Sequence, residues 1–103
     1  MGVKEAYIER VDSLLLEYDF EIAQLKIWVE KLGRGDSPEW LKEFHSFQDK
    51  EKKLHFHLAI FKRKNIILRN IAKIHIESLL TDLRETFHEL ANKYGYKPLS
   101  NDV

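Results

Sequence analysis

Two intervals in this chain place ligand-type side chains close together. Glu85-Thr86-Phe87-His88 has the Glu-x-x-His spacing with which helical bundles present a carboxylate and an imidazole to a metal, and His55-Phe56-His57 sets two imidazoles one residue apart. Neither is expected to chelate. On a helix the apolar stripe through Phe87 turns Glu85 and His88 outward, and residues two apart diverge by about 200°. His45 supplies no third ligand to the His55 and His57 pair. The chain contains no cysteine, which excludes disulfides, thiolate metal sites and cysteine nucleophiles. Ser, Asp and His all occur, but no nucleophile elbow presents them, and Gly33 and Gly35 lack the Lys-Ser/Thr context of a phosphate loop. No cofactor or metal is therefore expected.

The segment Arg69-Asn70-Ile71-Ala72-Lys73-Ile74-His75 resembles the Arg-x(4 to 6)-His signature of the HEPN superfamily of helical nucleases and nucleotide-binding proteins, where Asn often follows the Arg. The resemblance implies that Arg69 and His75 from two protomers meet in a cleft, His75 helping to activate a ribose 2′-hydroxyl and Arg69 stabilising the phosphorane, with Asn70 beside them. It covers seven residues, and the aromatic residue that commonly follows the His in the toxin branch is Glu77 here. A second short match, Gly33-Arg34-Gly35-Asp36-Ser37-Pro38, is identical to the integrin-binding loop hexapeptide of fibronectin. Most of its residues are also what a connection between two helices requires: a glycine to leave one helix, then a cap and a proline to start the next.

The elements that must carry these residues are helices. From residue 39 to residue 94 there is neither glycine nor proline, and apolar residues recur every three or four positions. A first helix near residues 3–32 places Tyr7, Val11, Leu14, Leu15, Tyr18, Ile22, Leu25, Val29 and Leu32 on one face, and Leu16, Phe20, Ala23 and Ile27 on a second, nearly opposite face. A second helix starts near Pro38 and carries Trp40, Phe44, Phe47, Leu54 and Leu58, with Glu51 interrupting the stripe. Beyond Phe56 the apolar positions shift to Ile60, Ile67, Ile71 and Ile74, and then return to the first phase at Ile76, Leu79, Leu80, Leu83, Phe87, Leu90 and Tyr94. That shift fits either a break near Lys62-Arg63-Lys64-Asn65 or one very long helix, and the break is preferred. It predicts helices near 3–32, 38–62 and 66–94, ended by Gly95 and Pro98, with 95–103 a frayed tail. The fold class expected is all-α: a three-helix chain or long helical hairpin in a single domain, forming a bundle through self-association.

Charge adds one asymmetry. Lys plus Arg and Asp plus Glu number 17 each, so the chain is formally neutral and carries no global attraction for nucleic acid or membrane. Locally, residues 54–76 hold Lys62, Arg63, Lys64, Arg69 and Lys73 without a carboxylate, and residues 12–25 hold Asp12, Glu17, Asp19 and Glu21 without a cation. These segments are expected to face one another, within a chain or across a dimer, as flanking charges do in coiled coils. Otherwise Lys62, Arg63, Lys64, Arg69, Asn70 and Lys73 form a strip for RNA or another polyanion. No stretch approaches the ~20 apolar residues of a membrane span, Gly2 lacks the downstream Ser or Thr of a myristoylation signal, and a cytoplasmic location is expected.

The leading functional expectation is a small, non-enzymatic helical module, an adaptor or regulator that binds itself as a homodimer and a partner protein. Its oligomer interface is assigned to Leu16, Phe20, Ala23, Ile27, Ile60, Ile67, Ile71 and Ile74. The alternative is a HEPN-like ribonuclease or RNA-binding accessory protein using segment 62–75, with Arg69 and His75 as its catalytic residues.

Overall fold

The computed structural model describes residues 2–97, and Pro98 with the tail expected to fray beyond it lies outside them. Three helices follow in order, α1 (Val3–Lys31), α2 (Pro38–Phe61) and α3 (Ile66–Lys93), with no strand among the described residues. Each boundary falls within one residue of the expected position, and most have a local cause; the start of α1 at Gly2 has no side-chain cap.

α1 ends in a Schellman arrangement: Gly33 takes φ +76°, its N–H bonds the Glu30 carbonyl, and Arg34 N–H reaches back to Val29. α2 opens with the Ser37 hydroxyl accepting from Trp40 N–H and Pro38 in the first turn. The break between α2 and α3 falls at residues 62–65. Asn65 is its determinant, because its side-chain oxygen accepts from both Ile67 and Leu68 N–H groups and caps α3. α3 ends as α1 does, on Gly95 at φ +66° with Tyr96 N–H bonded to Ala91.

The direction of each helix follows from its pairings. Lys50 of α2 donates to the Thr86 hydroxyl and Lys93 of α3 reaches Glu39 and Glu43, so α2 and α3 form an antiparallel hairpin. α1 runs alongside α3 in the same direction, with Arg10 against Glu77 near one end and Trp28 Nε1 donating to the Tyr94 carbonyl at 2.6 Å near the other. The bundle is elongated, 48 × 32 × 16 Å.

The core between the helices is largely the set that helical periodicity selects, with Phe61, Ala72 and Ala91 added to it and Leu32, expected on the inward face of α1, left exposed. Val11, Leu15, Ile22, Leu25 and Val29 meet Trp40, Phe47, Leu54 and Leu58, and Ala72, Ile76, Leu80, Leu83, Phe87 and Leu90 close the third side. Trp40 anchors the open end of the hairpin, stacked on Phe44 and meeting the edge of Tyr94. Burying a side chain of this kind contributes roughly 1.5–3 kcal/mol or more. One expected interface position belongs here instead: Ile60 is half-buried and packs against the core at the end of α2. The hairpin turn separates it from Ile67, Ile71 and Ile74, so the four do not share a helix face.

Candidate interaction surface

The second apolar face of α1 stays uncovered. Leu16 is 70% exposed, Phe20 65% and Ile27 48%, and Ala23 lies exposed between them. On α3, Ile67 at 68%, Ile71 at 49% and Ile74 at 70% form a comparable line. Four- and three-residue steps keep each line on one face at 3.6 residues per turn, nearly opposite the buried stripe on α1 and opposite it on α3. Monomers rarely expose contiguous apolar patches larger than a few hundred Å2, and larger ones mark sites of association.

Within the chain the basic segment and Asp12, Glu17 and Asp19 lie at different levels. Because α1 runs parallel to α3 with Arg10 level with Glu77, the carboxylates of Asp12, Glu17 and Asp19 lie beside the second half of α3. Lys62, Arg63, Lys64, Arg69 and Lys73 surround its first half and the preceding turn. Among the described residues no ion pair joins Asp12, Glu17 or Asp19 to that segment. Lys62, Arg63, Lys64, Asn70 and Lys73 are exposed and Arg69 is half-buried. Lys73 Nζ sits 5.1 Å from the centre of the Tyr7 ring, and Lys4 donates to the Lys62 carbonyl at 2.8 Å, tying the start of α1 to this turn.

Arg69 and His75 are not brought together in one chain. Six residues apart on α3, they leave the helix about 120° from each other. His75 instead lies face to face with His57 of α2, ring centres 4.6 Å apart and planes inclined by 17°. Burial first, and the neighbouring His75 second, hold the His57 imidazole below its ordinary value of 6.5. Phe56 extends this row, its ring 5.4 Å from His57 and its side chain exposed. The pairing emerges only once the α2 to α3 turn is placed, since the two histidines belong to different sequence periods.

The carboxylate that interrupts the α2 stripe is buried. Glu51 is 8% exposed among Phe47, Leu54 and the α1 core, and its Oε2 has no hydrogen-bond partner. Burial, reinforced by the Asp19 carboxylate, pushes its pKa up from 4.5 to about 8, which favours the neutral acid near neutrality. Its position inside an apolar stripe was the sequence signal for burial, the larger cause of the shift; the Asp19 contribution is one that periodicity does not locate.

At the open end a groove of about 460 Å3 between α2 and α3 is lined by Glu39, Glu43, Glu89, Lys42 and Lys93. Lys93 donates to Glu39 and Glu43, and the Tyr94 hydroxyl donates to Glu43 at 3.1 Å. These contacts use the groove's polar groups to hold the hairpin closed. Glu85 and His88 are exposed, His45 and His55 likewise, and no group of three or more metal-ligand side chains converges among the described residues. No described helix is long and apolar enough to cross a membrane. Compared with known protein families, curated proteins and solved structures, the chain matches none.

Proposed function

We propose that this protein is a helical interaction module, a small adaptor or regulator that pairs with itself and presents a further apolar face to a partner protein. The observation that carries this reading is the pair of exposed lines, Leu16, Phe20, Ala23 and Ile27 on α1 and Ile67, Ile71 and Ile74 on α3, each pointing away from a core that is complete without it. An isolated exposed leucine needs no explanation, but a line of them at helical spacing on two helices does. The ribonuclease alternative draws less support, because Arg69 is half-buried and the ring stacked on His75 is His57 of the same chain.

A double variant, Phe20→Asp with Ile71→Asp, tests the reading. Neither residue contributes to the core, so circular dichroism should show parental helicity and a melting midpoint within a few degrees of the parent at dilutions where the parent is dissociated. Association at high concentration should vanish. A double variant that loses its helicity would show that the lines belong to the fold and would sink the proposal.

A further inference from the structure

We propose that the α3 face is the self-association surface, and that a second copy of this chain pairs with it antiparallel about a two-fold axis passing between Ile71 and Ile74. This rests on the reading of the protein as a self-associating module and adds which helix pairs, in which direction and at which register.

The outward face of α3 and the turn before it are segregated by charge along their length. Lys62, Arg63 and Lys64 stand at one end, Ile67, Ile71, Ile74 and Ser78 occupy the centre, and Asp82 and Glu85 follow. On the helix, the residues from Ile67 through Glu85 are spaced by four, three, four, four and three, which keeps them on one side, and those not already described as apolar and uncovered are exposed too. Arg63, Lys64, Asp82 and Glu85 enter no ion pair among the described residues.

Such a face is complementary to itself when reversed. A two-fold axis between Ile71 and Ile74 sets Ile71 against Ile74 of the second copy and Ile67 against its Ser78. The basic turn then lies over Asp82 and Glu85 of the second copy, and by symmetry the same contacts form at the other end. Each α3 N-terminus, positive by its dipole, also approaches carboxylates. A parallel pairing would stack cation on cation and carboxylate on carboxylate. The helical part of the contact runs roughly 28 Å from Ile66 to Glu85 at 1.5 Å per residue, with the basic turn beyond it. Phe56, joined to the α3 flank through His57 and His75, adds apolar area at its border.

The α1 line does not share this property. Reversed on itself about the midpoint of Leu16 and Ile27, it brings Asp12 beside Glu30 of the second copy on the same flank, a like-charge contact. The α1 face is therefore left for a different partner.

Sedimentation equilibrium on variants of the 103-residue chain tests the assignment. Ile71→Asp should weaken dimerisation about thirtyfold or more, the effect of losing a central contact, while Phe20→Asp leaves it unchanged. Reversing the basic turn (Arg63→Glu with Lys64→Glu) should weaken it, and so should reversing the acidic end (Asp82→Lys with Glu85→Lys). Combining all four in one chain should restore it, because an antiparallel pair then again sets opposite charges together. A dimer that survives Ile71→Asp but dissociates in Phe20→Asp overturns the assignment and leaves the module reading intact. Failure of the four-fold variant to recover overturns the antiparallel register. A parent that stays monomeric throughout overturns both the assignment and the reading beneath it.

Discussion

Replacing Glu51 by glutamine should remove a pH dependence that the fold itself creates. Glu51 is held in the α2 stripe, almost out of contact with water, and its carboxyl is pushed up to about 8 by burial and the nearby Asp19 carboxylate. In the unfolded chain it ionises near 4.5. Between those values the native state keeps a proton that the unfolded state has released, so stability falls as pH rises from 4.5 and reaches its low plateau above 8. Each unit inside that window costs at most about 1.4 kcal/mol, and integrating from pH 5 to pH 7 gives about 2.5 kcal/mol. Against a total of ~5–15 kcal/mol for a domain, that is large. Glu51→Gln has the same shape and no proton to lose. Urea denaturation followed by circular dichroism at pH 5, 6, 7 and 8 should show the parent losing stability relative to the variant as pH rises, by about 2.5 kcal/mol between pH 5 and pH 7. Comparing the two proteins at each pH cancels the titrating groups that do not interact with Glu51, leaving Glu51 and its contact with Asp19. Parallel stability curves for parent and variant would refute the claim that Glu51 is buried as the neutral acid.

The histidine stack makes the opposite prediction at lower pH. Because His57 is held below its ordinary value by burial and by His75, stability should be lost as pH falls through 6.5 towards the folded value, and His75→Ala should raise the His57 midpoint in an NMR titration; an unmoved midpoint would mean that the rings do not interact. At the hairpin turn, Asn65→Ala removes the acceptor for two α3 N–H groups and should cost about 1 kcal/mol in urea unfolding, whereas a neutral effect would place the helix start elsewhere.

The core and the helix boundaries were legible because both depend on local order. Three- and four-residue spacing selects the inward residues from Val11 to Tyr94, and Gly33, Ser37 and Gly95 act within a few residues of themselves. The hairpin break was legible as a change of phase at Ile60 to Ile67, although its agent, the Asn65 cap, looks like any polar residue until the helix on either side is known. The candidate surface divides in the same way. The lines on α1 and α3 were visible as second apolar faces, but Ile60 was grouped with them because periodicity records an angle and not which helix end the neighbouring chain covers. The His57 and His75 stack and the Glu51 and Asp19 pair join different helices, so neither can be read from spacing along one. The direction of α1 decides that the acidic and basic segments lie at different levels, and that direction is set by packing.

The most direct test of self-association is sedimentation equilibrium of the unmodified protein from low micromolar to several hundred micromolar. The apparent mass should rise with concentration from 12.3 kDa towards twice that value. A mass fixed at 12.3 kDa across the whole range would contradict the account.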